Sequence, residues 1–165
     1  MVYKKGPKFR IRPVSDICAD IDEARDRYGA AVKTLFFPAG TSIAMPNEDL
    51  AAICRYSKKT FAALERITIY GSSRYILQKG LADMTRLRSA GLNRIHVGLE
   101  SGDDTILKRV KKGTNAKEQI QAGQIVKQAE IQLSEYVILG LGGTDRSTKH
   151  SLKTAEVLNE IEPDF

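Results

Sequence analysis

Two stretches decide the fold: "RIHVGLESGDD" at 94–104 and "EYVILGLGG" at 135–143. Each is a short run of apolar and β-branched residues that ends in glycine and polar side chains and then feeds a helical pattern. Short apolar strands that alternate with helices pair in parallel through right-handed crossovers. In such sheets ligands bind at the carboxyl ends of the strands. The segment from Arg94 to Gly143 therefore reads as one wall of a ligand site.

The same rhythm extends outward in both directions. Upstream, Val14, Ile17, Cys18, Ile21, Ala24 and Tyr28 recur at helical spacing, and Gly29 stops that helix. "VKTLFF" is the next strand and ends at Pro38-Ala39-Gly40-Thr41-Ser42. Asn47 follows Pro46 as the expected N-cap of a second helix, with Leu50, Ile53, Cys54, Ser57 and Phe61 as its buried stripe. "RITIY" runs into Gly71-Ser72-Ser73, and a third helix carries Leu81, Met84 and Leu87 to a stop at Gly91. After the strand at 94–100, Asp103 caps a short helix with Ile106, Leu107 and Val110, which Gly113 closes. Asn115 and Glu118 stand at capping-box spacing for the next helix. The last helix shows Leu152, Ala155, Leu158 and Ile161 as its apolar stripe. The pattern is one helix followed by four strand–helix units in a single domain spanning residues 1–165. An eight-stranded barrel takes roughly 250 residues. The chain is expected to be either an open four-stranded parallel sheet or part of an incomplete TIM-type (β/α) barrel.

Composition narrows the function classes. The 165 residues are 42% hydrophobic and 28% charged, as in ordinary globular proteins. No apolar run approaches the ~20 residues that span a bilayer, and the basic start lacks the apolar core of a secretory signal. A cytoplasmic protein with no membrane partner is the expectation. The net charge is +6, much of it from Lys4, Lys5, Lys8, Arg10 and Arg12. No aromatic residues interleave with that leader, so a nucleic-acid site is not expected. Cys18 and Cys54, 36 positions apart, lack metal-ligand spacing and read as small buried hydrophobes.

The four strand tips carry the candidate site residues: Ala39, Gly40 and Thr41; Gly71 to Ser73; Glu100 and Ser101; and Gly140. Every feature also has a plain structural role. Strand-end glycines make turns, and Glu100 or Ser101 could cap the next helix. Lys111 and Lys112 suit a helix C-terminus, where cations are favoured. His96 inside an apolar strand reads as a packed core residue, and His150 on a polar helix face reads as solvated. There is no Ser/His/Asp order, HExxH, P-loop or GxGxxG. Residue types alone support a polar ligand site on a parallel sheet.

The ordered combination of "RIHVGLESGDDTILKRVKKG" (94–113), "SEYVILGLGGTDRS" (134–147) and "TAEVLNEIEPDF" (154–165) resembles the catalytic core of radical S-adenosylmethionine enzymes. The likeness is to the oxygen-independent coproporphyrinogen oxidase and elongator-type branches, and it covers nearly all of the chain. The resemblance implies a six-stranded partial barrel holding S-adenosylmethionine and a [4Fe–4S] cluster. Reductive cleavage of the cofactor there gives a 5′-deoxyadenosyl radical that abstracts hydrogen. Cluster ligation in that family uses a Cys-x3-Cys-x2-Cys loop after the first strand, thiolates being the usual ligands. This chain has no such motif. The expectation is a fragment covering strands two to five of the family barrel, with no catalytic or metal-binding residues of its own, binding neither cluster nor cofactor tightly and inactive alone.

By the same resemblance, Ala39-Gly40-Thr41 occupies the glycine-rich motif that meets the cofactor's amino group. Glu100 and Ser101 match polar residues facing the cofactor, Lys112 a basic residue holding its carboxylate, and Gly140 the glycine region beside the adenine. Tyr70 and Tyr136 stand where relatives carry acidic ribose contacts, and Glu130 where they have Gly, which implies a left-handed backbone there. The substrate stays open. A non-catalytic nucleotide- or small-molecule-binding module is the alternative. Unpaired edges at "VKTLFF" and "EYVILG" would invite self-association into a homo-oligomer.

Overall fold

The computed structural model describes residues 10–38 and 40–165. Lys4, Lys5 and Lys8 of the basic leader lie outside them, as does Ala39. The elements follow the expected order. They are α1 (Val14–Tyr28), β1 (Thr34–Phe37), a 3₁₀ turn (Ser42–Ala44), α2 (Asn47–Thr60), β2 (Arg66–Gly71) and α3 (Ser73–Ala90). Then come β3 (Leu92–Glu100), α4 (Asp104–Arg109), α5 (Ala116–Gln128), β4 (Gln132–Val137) and α6 (Gly143–Ile161).

The strands form one sheet in the order β1-β2-β3-β4, and every pairing is parallel. A doubly wound sheet reverses its strand order and receives helices on both faces. Here the order never reverses, and α1 packs on α2, α2 on α3, α3 on α5, and α5 on α6. One face of the sheet therefore meets a continuous helical layer, as in a sector of a barrel wall. Ile67, Ile69, Ile95, Val97, Leu99 and Leu133 point into that layer and are almost fully buried. Ile53, Cys54, Ile76, Met84, Leu87 and Val126 meet them from the helices. Each such side chain contributes about 1.5–3 kcal/mol of hydrophobic stabilisation.

Because side chains alternate along a strand, Phe36, Tyr70, His96 and Tyr136 fall on the opposite, concave face. They form a diagonal aromatic row across all four strands. Phe36 meets Tyr70 edge-on at 5.0 Å, and His96 stacks on Tyr136 at 5.5 Å. His96 is thus outside the core, contrary to its reading as a core residue. It makes ring contacts and no hydrogen bond, and burial together with Arg94 and Arg66 lowers its pKa.

Local signals explain most boundaries. Asp103 caps α4 by accepting from the Thr105 and Ile106 amides, and Asn115 and Glu118 form the full capping box of α5. Gly91 ends α3 with φ 115°, and Glu130 takes φ 58° in the turn into β4. That left-handed conformation costs a non-glycine residue about 1–2 kcal/mol. Asn47 is the first residue of α2 instead of its cap; its Nδ2 donates to Asp83 O. Gly80 breaks α3 with φ 67°, and Leu81, directly after the break, is exposed while Met84 and Leu87 are buried. Tyr28 is exposed and Cys18 is only half-buried, whereas Cys54 is buried as expected. The stripe of α6 also differs. Leu152 and Ala155 are exposed, and His150, Thr154, Val157 and Ile161 face inward.

The outer edge of β4 is partly covered by the chain itself. Asp164 and Phe165 amides donate to Leu133 O, and Glu135 N donates to Phe165 O. The expected bare edge is therefore closed along its first half. Among the described residues β1 pairs only with β2, so its outer edge is unpaired.

Candidate cofactor site at the strand tips

The tip of β3 carries the most developed polar geometry. Pairing between β3 and β4 slips between Gly98 and Glu100, and Glu100 adopts φ 64°. This bulge turns the carboxylate toward Lys112, whose Nζ donates to Glu100 Oε1 at 3.0 Å. Their side chains are 16% (Lys112) and 30% (Glu100) exposed, so the pair is less screened than a surface ion pair. Gly98 lies under it. A Cβ there would come within 3.2 Å of Lys112 Nζ and 3.5 Å of Glu100 Oε1. Glycine at 98 leaves room for the pair, and Lys112 is tied to Glu100 as well as sitting past the end of α4.

Of the other expected residues, Gly40 has φ 57° and is exposed, and Thr41 begins the 3₁₀ turn with its carbonyl accepting from Ala44 N at 2.9 Å. Ala39 lies outside the described residues. Gly140 has φ 74°, its carbonyl accepting from Gly143 N, and no atom stands within 4 Å of where its Cβ would be. Ser101 differs from the rest. It is fully buried, and its hydroxyl is engaged with His150 Nδ1 at 2.9 Å and the Asp103 amide at 3.0 Å. The structure assigns it to the support beneath the site, away from the open face.

His150, read from sequence as solvated, is 4% exposed and bridges two tips, from Ser101 to Ile138 O. Around it, Gly102 N donates to Thr154 Oγ1, and Arg146 holds Asp103 in a two-bond ion pair at 2.7 and 3.0 Å. The Asp103 pKa is a balance in which burial pushes up and is outweighed by Arg146 and the two capped amides, so the carboxyl sits below its usual range. The opposite happens at Glu135. Burial pushes its carboxyl up to about 8, with Lys112 and the Leu99 amide pulling the other way, and Oε2 has no partner. Sequence reasoning missed His150, Thr154 and Arg146. The signal available was their spacing along α6, which puts His150, Thr154, Val157 and Ile161 on one face.

The cluster has no fit among these residues. The chain's two cysteines lie on α1 and α2, the Cys54 thiol is pushed up to about 12 by burial, and no group of three His, Cys, Asp or Glu among the described residues could hold a metal. For an S-adenosylmethionine-type ligand the tips hold suitable groups: Glu100 would accept from an ammonium and Lys112 would donate to a carboxylate, and no atom stands within 4 Å of where a Cβ would be at Gly40 or Gly140. No helix of the described residues is long and apolar enough to cross a membrane.

A four-stranded parallel βα sector with its helices on one face defines the class: part of a TIM-like (β/α) barrel, with polar groups gathered at its strand tips. Residues 1–155 match the Radical SAM superfamily, and the chain belongs to that superfamily. Among solved structures, the coproporphyrinogen III oxidase of Escherichia coli, a radical SAM enzyme, is similar at 17% identity over 95% of this chain and 38% of that one, with a TM-score of 0.69. The Elp3 of the archaeon Methanocaldococcus infernus is similar at 17% identity, covering 92% of this chain and 40% of its own, with a TM-score of 0.63. A methylornithine synthase is similar at 16% identity, covering 98% and 45%, with a TM-score of 0.69. At these identities the likeness is one of fold. The chain spans less than half the length of each of these structures. No curated protein sequence matches it.

Proposed function

We propose that this chain forms the S-adenosylmethionine side of a radical enzyme core, and that a [4Fe–4S] cluster, where one takes part, is ligated by residues other than those described. The observation that supports this reading is the Glu100–Lys112 pair at 3.0 Å over Gly98. An acid and a base placed side by side at a strand tip complement the ammonium and carboxylate of a free amino-acid moiety. In the reading, Glu100 accepts from the ammonium, Lys112 donates to the carboxylate, and the glycine tips at 40 and 140 let the rest of the ligand lie against backbone. The chemistry such a cofactor supplies in this superfamily is hydrogen abstraction by a deoxyadenosyl radical. The two cysteines, 36 positions apart in the sequence, supply no thiolate set for the iron cluster that triggers it, so the chain alone is expected to be inactive. The concave aromatic row of Phe36, Tyr70, His96 and Tyr136 is where a substrate would meet the cofactor.

The test is a backbone amide NMR titration with S-adenosylmethionine into the millimolar range. Perturbations centred on Gly40, Glu100, Lys112 and Gly140 support the reading. Perturbations elsewhere, or equal ones with ATP, would favour a nucleotide-binding module instead.

A further inference from the structure

The tips of β3 and β4 are joined by one directional chain of hydrogen bonds that passes through a single buried imidazole. Ile138 N donates to Glu100 O at 3.1 Å, which ties the two tips through backbone. His150 ties them again through its ring. A carbonyl oxygen only accepts, so the contact between Nε2 and Ile138 O at 3.2 Å places the ring proton on Nε2. In the neutral ring Nδ1 is then bare and accepts from the Ser101 hydroxyl at 2.9 Å. Ser101 Oγ in turn accepts from the Asp103 amide at 3.0 Å. Thr154, one turn along α6 from His150, accepts from Gly102 N at 3.0 Å and lies 3.4 Å from the same Nδ1. Ser101 is 0% and His150 4% exposed, so water cannot readily replace these partners.

The consequence lies in what the joined segments carry. Glu100 precedes Ser101 directly and sits at φ 64°; Gly140 lies two residues beyond Ile138 at φ 74°. Leu139, between Ile138 and Gly140, is 89% exposed, and the rest of that tip is held by its own turn, Leu141 N donating to Ile138 O at 3.3 Å and Gly143 N to Gly140 O at 2.9 Å. Gly102 is pressed against α6 so closely that a Cβ would fall 2.2 Å from Lys153 O. The helix therefore serves as a common anvil for both tips, and His150 is the side chain that contacts both.

We propose that His150 is a positioning residue that makes the β3 and β4 tips a single rigid unit, so that Glu100 and Gly140 are presented to a ligand together. What the tips hold rests on the cradle reading above; the coupling itself does not. The neutral tautomer and the joint loosening of both tips are its signatures.

The experiment uses the full chain as wild type, His150→Phe and His150→Gln. Ring-nitrogen NMR of the wild type is expected to show the Nε2–H tautomer. Amide exchange is then followed at Gly102, Asp103 and Ile138, with Ile69 in β2 as the reference for global stability. In His150→Phe the three tip amides should exchange together, roughly fivefold faster or more, from the loss of hydrogen bonds worth about 1 kcal/mol each. Ile69 should accelerate by no more than the same factor, since the lost bonds also lower global stability. His150→Gln, whose amide keeps one donor and one acceptor, should restore most of the protection. An Nδ1–H tautomer in the wild type would overturn the proposal. So would loosening of one tip alone, or no loosening of either. Should His150→Phe not fold, the tautomer and the His150→Gln exchange still decide. Coupled tips together with no S-adenosylmethionine perturbation in the wild type would leave this inference standing and remove the cradle reading.

Discussion

Gly102→Ala probes the junction on which the site rests. An added Cβ would fall 2.2 Å from Lys153 O, 2.6 Å from Lys153 C and 2.8 Å from Thr154 Cα, all backbone atoms of α6. Ordinary contact between such atoms begins about 1 Å further out, and backbone inside a helix cannot swing aside as a side-chain end can. The loop or the helix must retreat, and overpacking of this kind costs about 1–3 kcal/mol. Retreat also breaks the Gly102 N–Thr154 bond and stretches the Ser101–His150 bond, at about 1 kcal/mol each. The expected loss is about 3–5 kcal/mol, a large share of the 5–15 kcal/mol typical of whole proteins. With a urea m-value near 2 kcal/mol/M, the midpoint should fall by about 2 M. Gly140→Ala is the comparison. It has positive φ and open space around the new methyl, so only the backbone penalty of about 1–2 kcal/mol applies. A Gly102→Ala midpoint no lower than that of Gly140→Ala would refute the packing argument.

Further outcomes follow from the same geometry. The carboxyl of Glu135 titrates near 8 in the folded chain against an ordinary 4.5. Between these values the folded state holds a proton that the unfolded chain releases, so its stabilising contribution, full below about 4.5, drains away as pH rises toward 8. At about 1.4 kcal/mol per unit the loss is on the order of 3–5 kcal/mol. Urea denaturation at a series of pH values should show this fall in the wild type and lose it in Glu135→Gln; equal slopes would be contrary. Anaerobic iron and sulfide reconstitution of this chain should yield no stable visible charge-transfer band, because its two cysteines sit apart on α1 and α2. Self-association, followed by light scattering, should run through the unpaired edge of β1, and Thr34→Pro there, where the N–H faces outward, should reduce it more than a change at the tail-covered edge of β4.

Much of the fold was legible because the strands are short apolar runs whose neighbours carry strong stop signals. Asp103, Asn115 with Glu118, and Gly91 act through local backbone chemistry that needs no tertiary context. The strand ends just before Gly40 and Gly140 and at Glu100 were legible from the same kind of stop signal. What sequence could not give were choices made by distant partners. Along α6 two stripes compete and share Ile161. The apolar one through Leu152 and Ala155 looked better, but Ser101, Gly102 and Ile138 supply polar partners that draw His150 and Thr154 inward instead. Leu81 was misplaced because it opens the segment after the break at Gly80, and a glycine inside a helical pattern does not reveal its φ. His96 was read as core because alternation alone does not say which face the helices cover.

The cradle at the strand tips is tested most directly by comparing two ligands on two proteins. Calorimetry of S-adenosylmethionine and of 5′-methylthioadenosine, which lacks the amino-acid end, is run against wild type and Lys112→Ala. Loss of a charge-assisted bond should weaken S-adenosylmethionine about tenfold or more and leave 5′-methylthioadenosine unchanged. Equal weakening of both ligands, or none, would contradict the assignment of Lys112 and Glu100 to the amino-acid end of the cofactor.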